Sequence, residues 1–309
     1  MKTTPVTPAD LAASVIAVPP LARHRDLTIN NAANLEMIRY LEEGGVTTLL
    51  YGGNANLYNI SMEEYPELLD MLEEDAGDDT WVIPSAGPDY GKLEDQAAIL
   101  KGRSFPTVMV LPLAFPATRE GVLAGIRRFA ERARKPVVVY LKSDNYLEPA
   151  DVATLASDGL VSAVKYGTVR KHPSDDPYLR ALLDVVDAKL TVSGIGERPA
   201  IVHLRDFGLQ GFTSGSVCVA PRSSTKILQL AKARDWIGAE REREAFLPLE
   251  DCRDSFSPIR TLHDAVTLAG IADMGPMLPM LSNLPPTLQL KVREASLALR
   301  QHDEQLAPA

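Results

Sequence analysis

Apolar, β-branched runs alternate along the chain with amphipathic segments at a regular spacing. This alternation is typical of repeated βα units, because strands buried on both faces of a parallel sheet are apolar throughout and helices keep one polar face. The amphipathic segments predict helices that include residues 33–43, 62–74, 93–101, 119–133 and 199–207, and Ser61 followed by Glu64 has the pattern of a capping box. The apolar runs predict eight strands, at residues 14–18, 46–50, 81–85, 107–111, 136–141, 160–165, 190–193 and 211–214.

Eight βα units within about 225 residues fit a (β/α)8 TIM barrel, for which about 250 residues is typical. From residue 231 onward no run resembles a strand, and prolines interrupt helix-like stretches at residues 232–245, 251–272 and 286–301. We therefore predict an α/β fold with a barrel over residues 1–230 and a C-terminal helical extension over residues 231–309. A doubly wound open sheet is the alternative, but neither GxGxxG nor GxxxxGK[ST] occurs, so nucleotide binding has no support.

Composition narrows the classes of function. The net charge of −9 and the lack of a basic run with interleaved aromatic residues argue against nucleic acid as a partner. Cys218 and Cys252 have no CxxC spacing and are expected to be buried, reduced thiols. The polar start of the chain lacks a signal core, and no apolar stretch of about 18 residues occurs, so we expect a cytoplasmic protein without a membrane partner.

Lys165 ends the apolar run 160–164, where a parallel strand would reach the mouth of the sheet. Active sites of barrels lie at the carboxyl ends of the strands, so an amine at this point is placed for chemistry. A lysine in a strand buried on both faces has to be paired, solvated by a cavity or kept partly neutral by desolvation. The simpler interpretation, a side chain that escapes to solvent at the strand end, stays open from this residue alone.

Other strand ends carry candidate binding groups. The second strand runs into a loop that contains Gly53, Asn54 and Asn56, whose backbone N–H groups and amides suit a carboxylate, although glycine and asparagine are also common in plain turns. Tyr140 ends the fifth strand and places a phenol at the same rim, where packing is the other interpretation. Gly194 and Ser214 follow the seventh and eighth strands and suit either tight turns or ligand-facing backbone.

A lysine, a tyrosine and an amide-rich loop around one cavity suggest Schiff-base chemistry. The amine must be neutral to attack a carbonyl, so its pKa has to fall from about 10.4 toward 7 or 8, which burial at a barrel mouth can achieve. The resulting imine stabilises a carbanion at the neighbouring carbon, so that aldol cleavage, condensation or dehydration needs no metal. A tyrosine can then move the proton.

The same segments resemble the dihydrodipicolinate synthase and N-acetylneuraminate lyase superfamily, pyruvate-dependent class I aldolases and lyases, over almost the whole chain. The similar segments are GGVTTLLYG at residues 44–52, ISMEE at 60–64, PVVVY at 136–140, VK at 164–165 and GLQGFTSG at 208–215. The resemblance implies a (β/α)8 barrel and an imine between Lys165 and pyruvate or a related 2-oxo acid. It further implies Tyr140 as the proton shuttle and a substrate carboxylate held at Gly53 and Asn54. Members of the superfamily are commonly homotetramers, which implies a homo-oligomer, either a tetramer or a dimer.

The chain departs from the synthase pattern at several positions. Gly53 and Asn54 stand where the family has two threonines, and Asn56 stands where it has a glutamate. The arginine that synthases use on their second substrate falls near Asn145, and a second relay tyrosine aligns with Ala114. These departures argue against dihydrodipicolinate synthase itself. Side chains that could line a changed pocket are those of Tyr51, Tyr58, Tyr166, Lys142 and Asn56.

We therefore expect a class I carbon–carbon or carbon–oxygen lyase that acts on a 2-oxo acid and an unidentified aldehyde or leaving group, with no cofactor. One alternative is a binding or regulatory protein that kept the barrel and lost turnover. Another is a barrel enzyme that uses a metal or phosphate. The five histidines form neither HxH nor HExxH, and the pair Asp175 and Asp176 is expected to cap a helix instead of binding a metal.

Overall fold

The computed structural model describes residues 1–307 and contains a closed barrel of eight parallel strands. Each strand pairs with its neighbours in the order β7-β6-β5-β4-β3-β2-β1-β8, and a parallel bridge between Ser193 and Phe212 joins the two ends of this order. The TIM barrel predicted from the sequence is confirmed, since every predicted run overlaps an observed strand. The strands are β1 Ile16–Ala17, β2 Thr48–Tyr51, β3 Trp81–Ala86, β4 Val108–Val110, β5 Val137–Leu141, β6 Val161–Tyr166, β7 Thr191–Ser193 and β8 Thr213–Ser214.

Helices surround the strands and continue as a C-terminal extension. The helices are α1 Pro8–Ala13, α2 Asn31–Glu43, α3 Tyr65–Asp75, α4 Tyr90–Leu100, α5 Arg119–Ala133, α6 Pro149–Ser157, α7 Pro177–Leu183, α8 Glu197–Phe207, α9 Pro221–Lys232, α10 Trp236–Arg243, α11 Leu247–Phe256, α12 Pro258–Leu268 and α13 Pro286–Glu304. Four short 3-10 helices lie at Leu57–Asn59, Ala188–Leu190, Ser216–Cys218 and Glu244–Phe246.

Helix α5 illustrates how local sequence sets these elements. The hydroxyl of Thr118 caps its start by accepting a hydrogen bond from the backbone N–H of Gly121 (3.2 Å). Ile126, Phe129 and Ala133 recur at helical spacing and are buried toward the strands. The amphipathic period and the cap together explain why the predicted helix matches the observed one.

Three local expectations are wrong. Ser61 accepts a hydrogen bond from the Glu64 backbone, but the Glu64 side chain binds Arg23 instead of closing a capping box, and α3 begins only at Tyr65. The stretch predicted as one helix over residues 251–272 is two helices that meet at Ser257 and Pro258, because proline cannot donate the next helical hydrogen bond. Cys218 is buried as expected, but Cys252 is partly exposed; both are free thiols.

The extension packs on the barrel through buried polar contacts as well as apolar ones. Asp303 near the end of α13 is fully buried and accepts a hydrogen bond from the Ser223 backbone in the first turn of α9 (2.7 Å). The division into residues 1–230 and 231–309 stays a prediction; its boundary falls within the last turn of α9, and residues 308–309 lie outside the described residues.

Within residues 1–307, no helix is both long enough and apolar enough to cross a bilayer. The cytoplasmic location expected from the sequence stays a prediction. No group of three or more potential metal-binding side chains comes together in the same part of the chain. Asp176 caps α7 by accepting a hydrogen bond from the Leu179 backbone (2.9 Å), so its role as a helix cap is confirmed.

Candidate active site

Lys165 lies at the carboxyl end of β6 and is only 5% exposed. Its partners in register are Tyr140 on β5 and Val192 on β7, so the Lys165 backbone is part of the continuous parallel sheet. Burial lowers the pKa of Lys165 from its ordinary value of 10.5 to about 7, and the charge of Lys142 contributes in the same direction. A large fraction of this amine is therefore neutral near pH 7, as nucleophilic attack requires.

Lys165 borders a cavity of about 190 Å³ at the carboxyl ends of the strands. Five of the seven site residues predicted from the sequence meet there: Gly53, Asn54, Tyr140, Lys165 and Gly194. Larger cavities of about 500 and 570 Å³ lie elsewhere, one between α4 and α5 and one beside α8 and α9. Neither of these contains a lysine with a comparably lowered pKa, so the chemistry favours the smaller cavity.

Tyr140 faces the amine directly. The Lys165 Nζ atom is 4.4 Å from the centre of the Tyr140 ring, which is within range of a cation–π contact when the lysine is protonated. Burial raises the pKa of the Tyr140 phenol to about 12, and the charge of Arg253 partly offsets this rise. The phenol is therefore protonated near pH 7 and can donate a proton.

The β2 loop contributes backbone and one amide to the cavity. Asn54 lines the cavity while its Nδ2 atom donates to the Val18 carbonyl (3.0 Å), which fixes the loop against β1. Asn56 does not line the cavity. Its backbone is left-handed (φ +55°), its side-chain oxygen accepts from Asn59 (2.8 Å), and its Nδ2 donates to the Leu278 carbonyl (3.4 Å). Asn56 therefore shapes the loop and ties it to the C-terminal extension.

The β7 and β8 loops differ in what they present. A Cβ atom on Gly194 would lie 2.7 Å from the Tyr166 carbonyl oxygen and 2.9 Å from Lys165 Cγ, so a residue with a side chain would displace the end of β6. Ser214 does not line the cavity, because its Oγ atom accepts from the Val217 backbone (3.0 Å) and the side chain is buried. The neighbouring Thr213 does line it.

Of the other side chains that the sequence analysis named as possible pocket residues, some line the cavity and others do not. Tyr58 and Lys142 line the cavity. Tyr51 is fully buried in the core, and the hydroxyl of Tyr166 donates to the buried carboxylate of Asp176 (2.5 Å). Strand alternation places Tyr166 on the opposite face of β6 from Lys165, whereas Tyr58 lies in the 3-10 helix after β2, where no strand period applies.

The sequence analysis did not identify the two charged residues that the C-terminal extension contributes to the cavity, Arg253 and Asp254 of α11. The Arg253 side chain is 7% exposed, and its Nη1 atom donates to the Ile195 carbonyl (2.8 Å) and to Glu250 (3.1 Å). No strand end or motif marks these positions, since they reach the barrel only through helix packing.

Two fully buried carboxylates, Glu197 and Glu250, lie behind Arg253. The Glu197 backbone N–H donates to Glu250 (3.1 Å), and the Ser224 hydroxyl donates to the Glu197 side chain (2.6 Å). Burial raises the pKa of both groups, that of Glu250 to about 7 with the Glu197 charge as the next cause. Near pH 7 the pair therefore tends to keep one proton, which leaves Arg253 only partly neutralised from this side.

No protein-family model matches the chain, and no curated protein matches it. Solved structures do. Dihydrodipicolinate synthase from Bacillus clausii has 20% identity and a TM-score of 0.80, with 93% of this chain and 97% of that chain covered. A catalytic-lysine mutant of Ruminococcus gnavus sialic acid aldolase has 13% identity and a TM-score of 0.83, with 96% and 98% covered.

A putative dihydrodipicolinate synthase family protein from Coccidioides immitis has 18% identity and a TM-score of 0.81, with 96% of this chain and 98% of that chain covered. The three likenesses span the barrel and the helical extension together. At identities of 13–20%, these similarities show the fold alone. The chain therefore has the fold of the dihydrodipicolinate synthases and sialic acid aldolases.

Proposed function

We propose that this protein is a divergent member of the dihydrodipicolinate synthase and N-acetylneuraminate lyase superfamily, and that it is a Schiff-base-forming lyase, aldolase, synthase or dehydratase acting on pyruvate or a related 2-oxo acid. The observation that carries the proposal is Lys165, a buried lysine with a pKa of about 7 on the wall of a strand-end cavity. The shared fold supports it, since one structural neighbour is a sialic acid aldolase described as having a catalytic lysine.

In the proposed reaction, the neutral Lys165 Nζ attacks the C2 carbonyl of the 2-oxo acid, and the carbinolamine loses one water to form the imine. Loss of a proton from C3 then gives an enamine. The enamine forms a carbon–carbon bond with an aldehyde carbonyl, whose oxygen takes up a proton. Water finally hydrolyses the imine, which releases the product and restores the amine. Cleavage runs through the same steps in reverse.

Tyr140 is the proposed proton shuttle. Its phenol is protonated near pH 7 and lies beside the amine, so it can donate to the carbinolamine oxygen and recover the proton later. Gly53 and Asn54 are proposed to hold the 2-oxo acid carboxylate through backbone N–H groups, with Gly194 giving the backbone room on the opposite side. The contacts of Asn56 and Ser214 favour structural roles for these two residues in place of direct substrate binding.

The proposal excludes dihydrodipicolinate synthase itself as the preferred activity. Gly53 and Asn54 have no hydroxyl to relay protons at the β2 loop, and Ala114 offers none after β4. A different aldehyde, or loss of water in place of a second carbonyl substrate, fits a site that keeps Lys165 and Tyr140 and lacks the hydroxyls at these three positions.

The second candidate is a 2-oxo-acid-binding or regulatory protein with reduced turnover. It is favoured by the absence of hydroxyls at Gly53, Asn54 and Ala114, and by the burial of Tyr58, the other tyrosine on the cavity wall, which raises the pKa of its phenol. A site with few relay hydroxyls would exchange protons slowly.

Intact-mass analysis after borohydride treatment with pyruvate, and then with larger 2-oxo acids, tests the proposal. We expect a covalent adduct in the wild type and in Lys101→Ala, a surface control, and none in Lys165→Ala. An adduct without turnover of any added aldehyde would favour the binding protein. No adduct with any 2-oxo acid would overturn the proposed function.

We further propose a homo-oligomer, a tetramer or a dimer, in the cytoplasm. The support is the sequence resemblance to a superfamily whose members commonly form tetramers. Light scattering on the full chain measures the assembly, and a monomer at micromolar concentration would contradict it.

A further inference from the structure

Arg253 is the only arginine on the wall of the Lys165 cavity within the described residues, and it comes from α11 instead of from a barrel strand. It also borders a side arm of about 60 Å³ that shares Val169, Ile195 and Asp254 with the main cavity. An arginine that is 93% buried needs a compensating anion or set of acceptors. The hydrogen bonds of its guanidinium show which of its donors have acceptors within the protein.

Both N–H groups of the Nη1 atom have acceptors within the protein. It donates to the Ile195 carbonyl and to Glu250, and a Cβ atom on Gly196 would lie 2.5 Å from it. This side of the guanidinium is thus pinned between the β7 loop and α11.

The other edge of the guanidinium is held much less firmly. Nε and Nη2 both donate to a single oxygen of Asp254, at 3.0 and 2.9 Å. The Asp254 side chain is 48% exposed, so water competes for its carboxylate although the Arg253 side chain itself is only 7% exposed. A carboxylate or phosphate group that enters the cavity can therefore replace Asp254 and use both donors in a bidentate geometry.

The charges on the cavity wall favour an anion at this position. The basic lining residues are Lys142, Lys165 and Arg253, and Asp254 is the only acidic one among the described lining residues. The 2-oxo acid brings one carboxylate, which the proposed function assigns to the β2 loop. Arg253 stands beside the β7 loop, and β1 and β8 separate β7 from β2 in the barrel. A second anionic group at Arg253 would therefore not compete with the first.

We propose that Arg253 determines specificity for the second half of the substrate by binding an anionic group on it, with Asp254 as the counter-ion that this group displaces. The aldehyde that adds to the enamine, or the fragment released from it, is then a carboxylate- or phosphate-bearing compound. This inference rests on the proposed function for the reaction, while anion binding at Arg253 can be measured without it.

The binding test titrates the full-length protein with succinate and, separately, with inorganic phosphate by calorimetry. We expect Asp254→Asn to bind at least one of these anions roughly tenfold more tightly than the wild type, because the competing carboxylate is gone, and Arg253→Gln to lose binding. Arg241→Gln, an exposed arginine on α10, is the matched control and should bind as the wild type does. Equal affinities in all four proteins, or weaker binding in Asp254→Asn, would overturn the proposal. Asp254→Asn changes a half-exposed side chain, so the test does not depend on whether Arg253→Gln folds.

The specificity test adds pyruvate with succinic semialdehyde, glyceraldehyde 3-phosphate or neutral butanal and measures condensation products by mass. We expect the wild type to prefer one of the anionic aldehydes over butanal by roughly tenfold or more, and Arg253→Gln to lose that preference. The carboxylate and phosphate arms identify which anion the site takes. A wild type that forms the pyruvate adduct but prefers butanal would overturn the inference and leave the proposed function standing. Absence of the adduct together with normal anion binding would overturn the proposed function alone.

Discussion

The amine of Lys165 owes its reactivity to its surroundings. Burial between β5 and β7 disfavours the ammonium form, and the positive charge of Lys142 at the same cavity adds to this effect. Tyr140 provides a ring face but no negative charge near pH 7, so nothing at the strand end restores the ordinary pKa. Burial is therefore the main cause of the lowered Lys165 pKa, and the Lys142 charge lowers it further.

We expect Lys142→Met to raise the pKa of Lys165, because it removes the neighbouring positive charge while keeping the apolar stem. The measurement is the rate of borohydride-trapped adduct formation with pyruvate between pH 5.5 and 9. The wild-type rate should rise with pH with a midpoint near 7, and the Lys142→Met midpoint should lie higher. Lys101→Met is the control for loss of a surface lysine, and a midpoint equal to the control's would show that the Lys142 charge does not lower the Lys165 pKa.

Lys165→Met should make the protein more stable, with a definite pH dependence. The pKa of Lys165 is about 7 in the folded state and about 10.5 in the unfolded state, so the unfolded state binds more protons between these values and wild-type stability rises with pH across that window. The Met variant lacks this penalty. Its advantage should reach up to about 5 kcal/mol at or below pH 7 and shrink toward pH 10.5.

Urea unfolding of both proteins at pH 6.5 and pH 9.5 measures this difference. An advantage of the Met variant that is the same at both pH values would mean that the amine is not the source of the instability.

At the scale of elements, the loop between β7 and α8 connects the reactive strand end to the extension. Gly196 has a positive φ (+87°), and its Cα faces Arg253 and Glu250 at distances that leave no room for a side chain. The loop can therefore approach α11 only with glycine at this point, and that approach brings Arg253 to the cavity.

Gly196→Ala is expected to destabilise the protein by at least about 2 kcal/mol more than Gly159→Ala. Both glycines have positive φ, but Gly196, at φ +87° and ψ −166°, lies in a backbone region that is essentially restricted to glycine, so strain adds to the loss there. A Cβ atom at Gly159 would meet nothing within 4 Å, whereas at Gly196 it would lie 2.5 Å from Arg253 Nη1 and Glu250 Oε1. Chemical denaturation of the two variants gives the comparison, and equal losses would contradict the expectation that the close contacts and the backbone angles of Gly196 require glycine there.

At the scale of the whole molecule, buried polar contacts join the extension to the barrel. Glu250 on α11 accepts a hydrogen bond from the Glu197 backbone at the start of α8, and Asp303 on α13 accepts one from the Ser223 backbone at the start of α9. Each of these groups is fully buried, so opening the extension would expose or orphan all of them. We expect the barrel and the extension to unfold in one transition.

Asp303→Ala should cost about 1–3 kcal/mol, because it leaves the buried Ser223 N–H without its acceptor. Glu304→Ala, one residue away, removes only an exposed i,i+4 pair with Arg300 and should cost about 0.5 kcal/mol or less. Thermal unfolding that is monitored by both far-ultraviolet circular dichroism and tyrosine fluorescence tests both expectations. Two separated transitions in the wild type would contradict the single cooperative unit.

Local sequence patterns were enough to predict the barrel and the strand-end position of Lys165. The βα alternation and helix periods are local patterns, so the eight strands, α5 and the strand-end place of Lys165 could all be predicted. Predictions from local patterns were wrong where a residue from a distant part of the chain binds the side chain instead. Glu64 has the spacing of a capping box but binds Arg23, whose charge outweighs a backbone N–H as a partner.

Which polar groups face the cavity depends on hydrogen bonds and packing that appear only in the folded chain. Asn56 and Ser214 lie in the right loops, yet their hydrogen bonds turn them toward Leu278 and Val217. Arg253 has no local signal, and it enters the cavity because α11 packs against the β7 loop some 58 residues earlier in the chain. Strand and helix periods are set by neighbours along the chain, whereas side-chain direction in loops and helix docking are set by contacts between distant segments, which a single sequence does not specify.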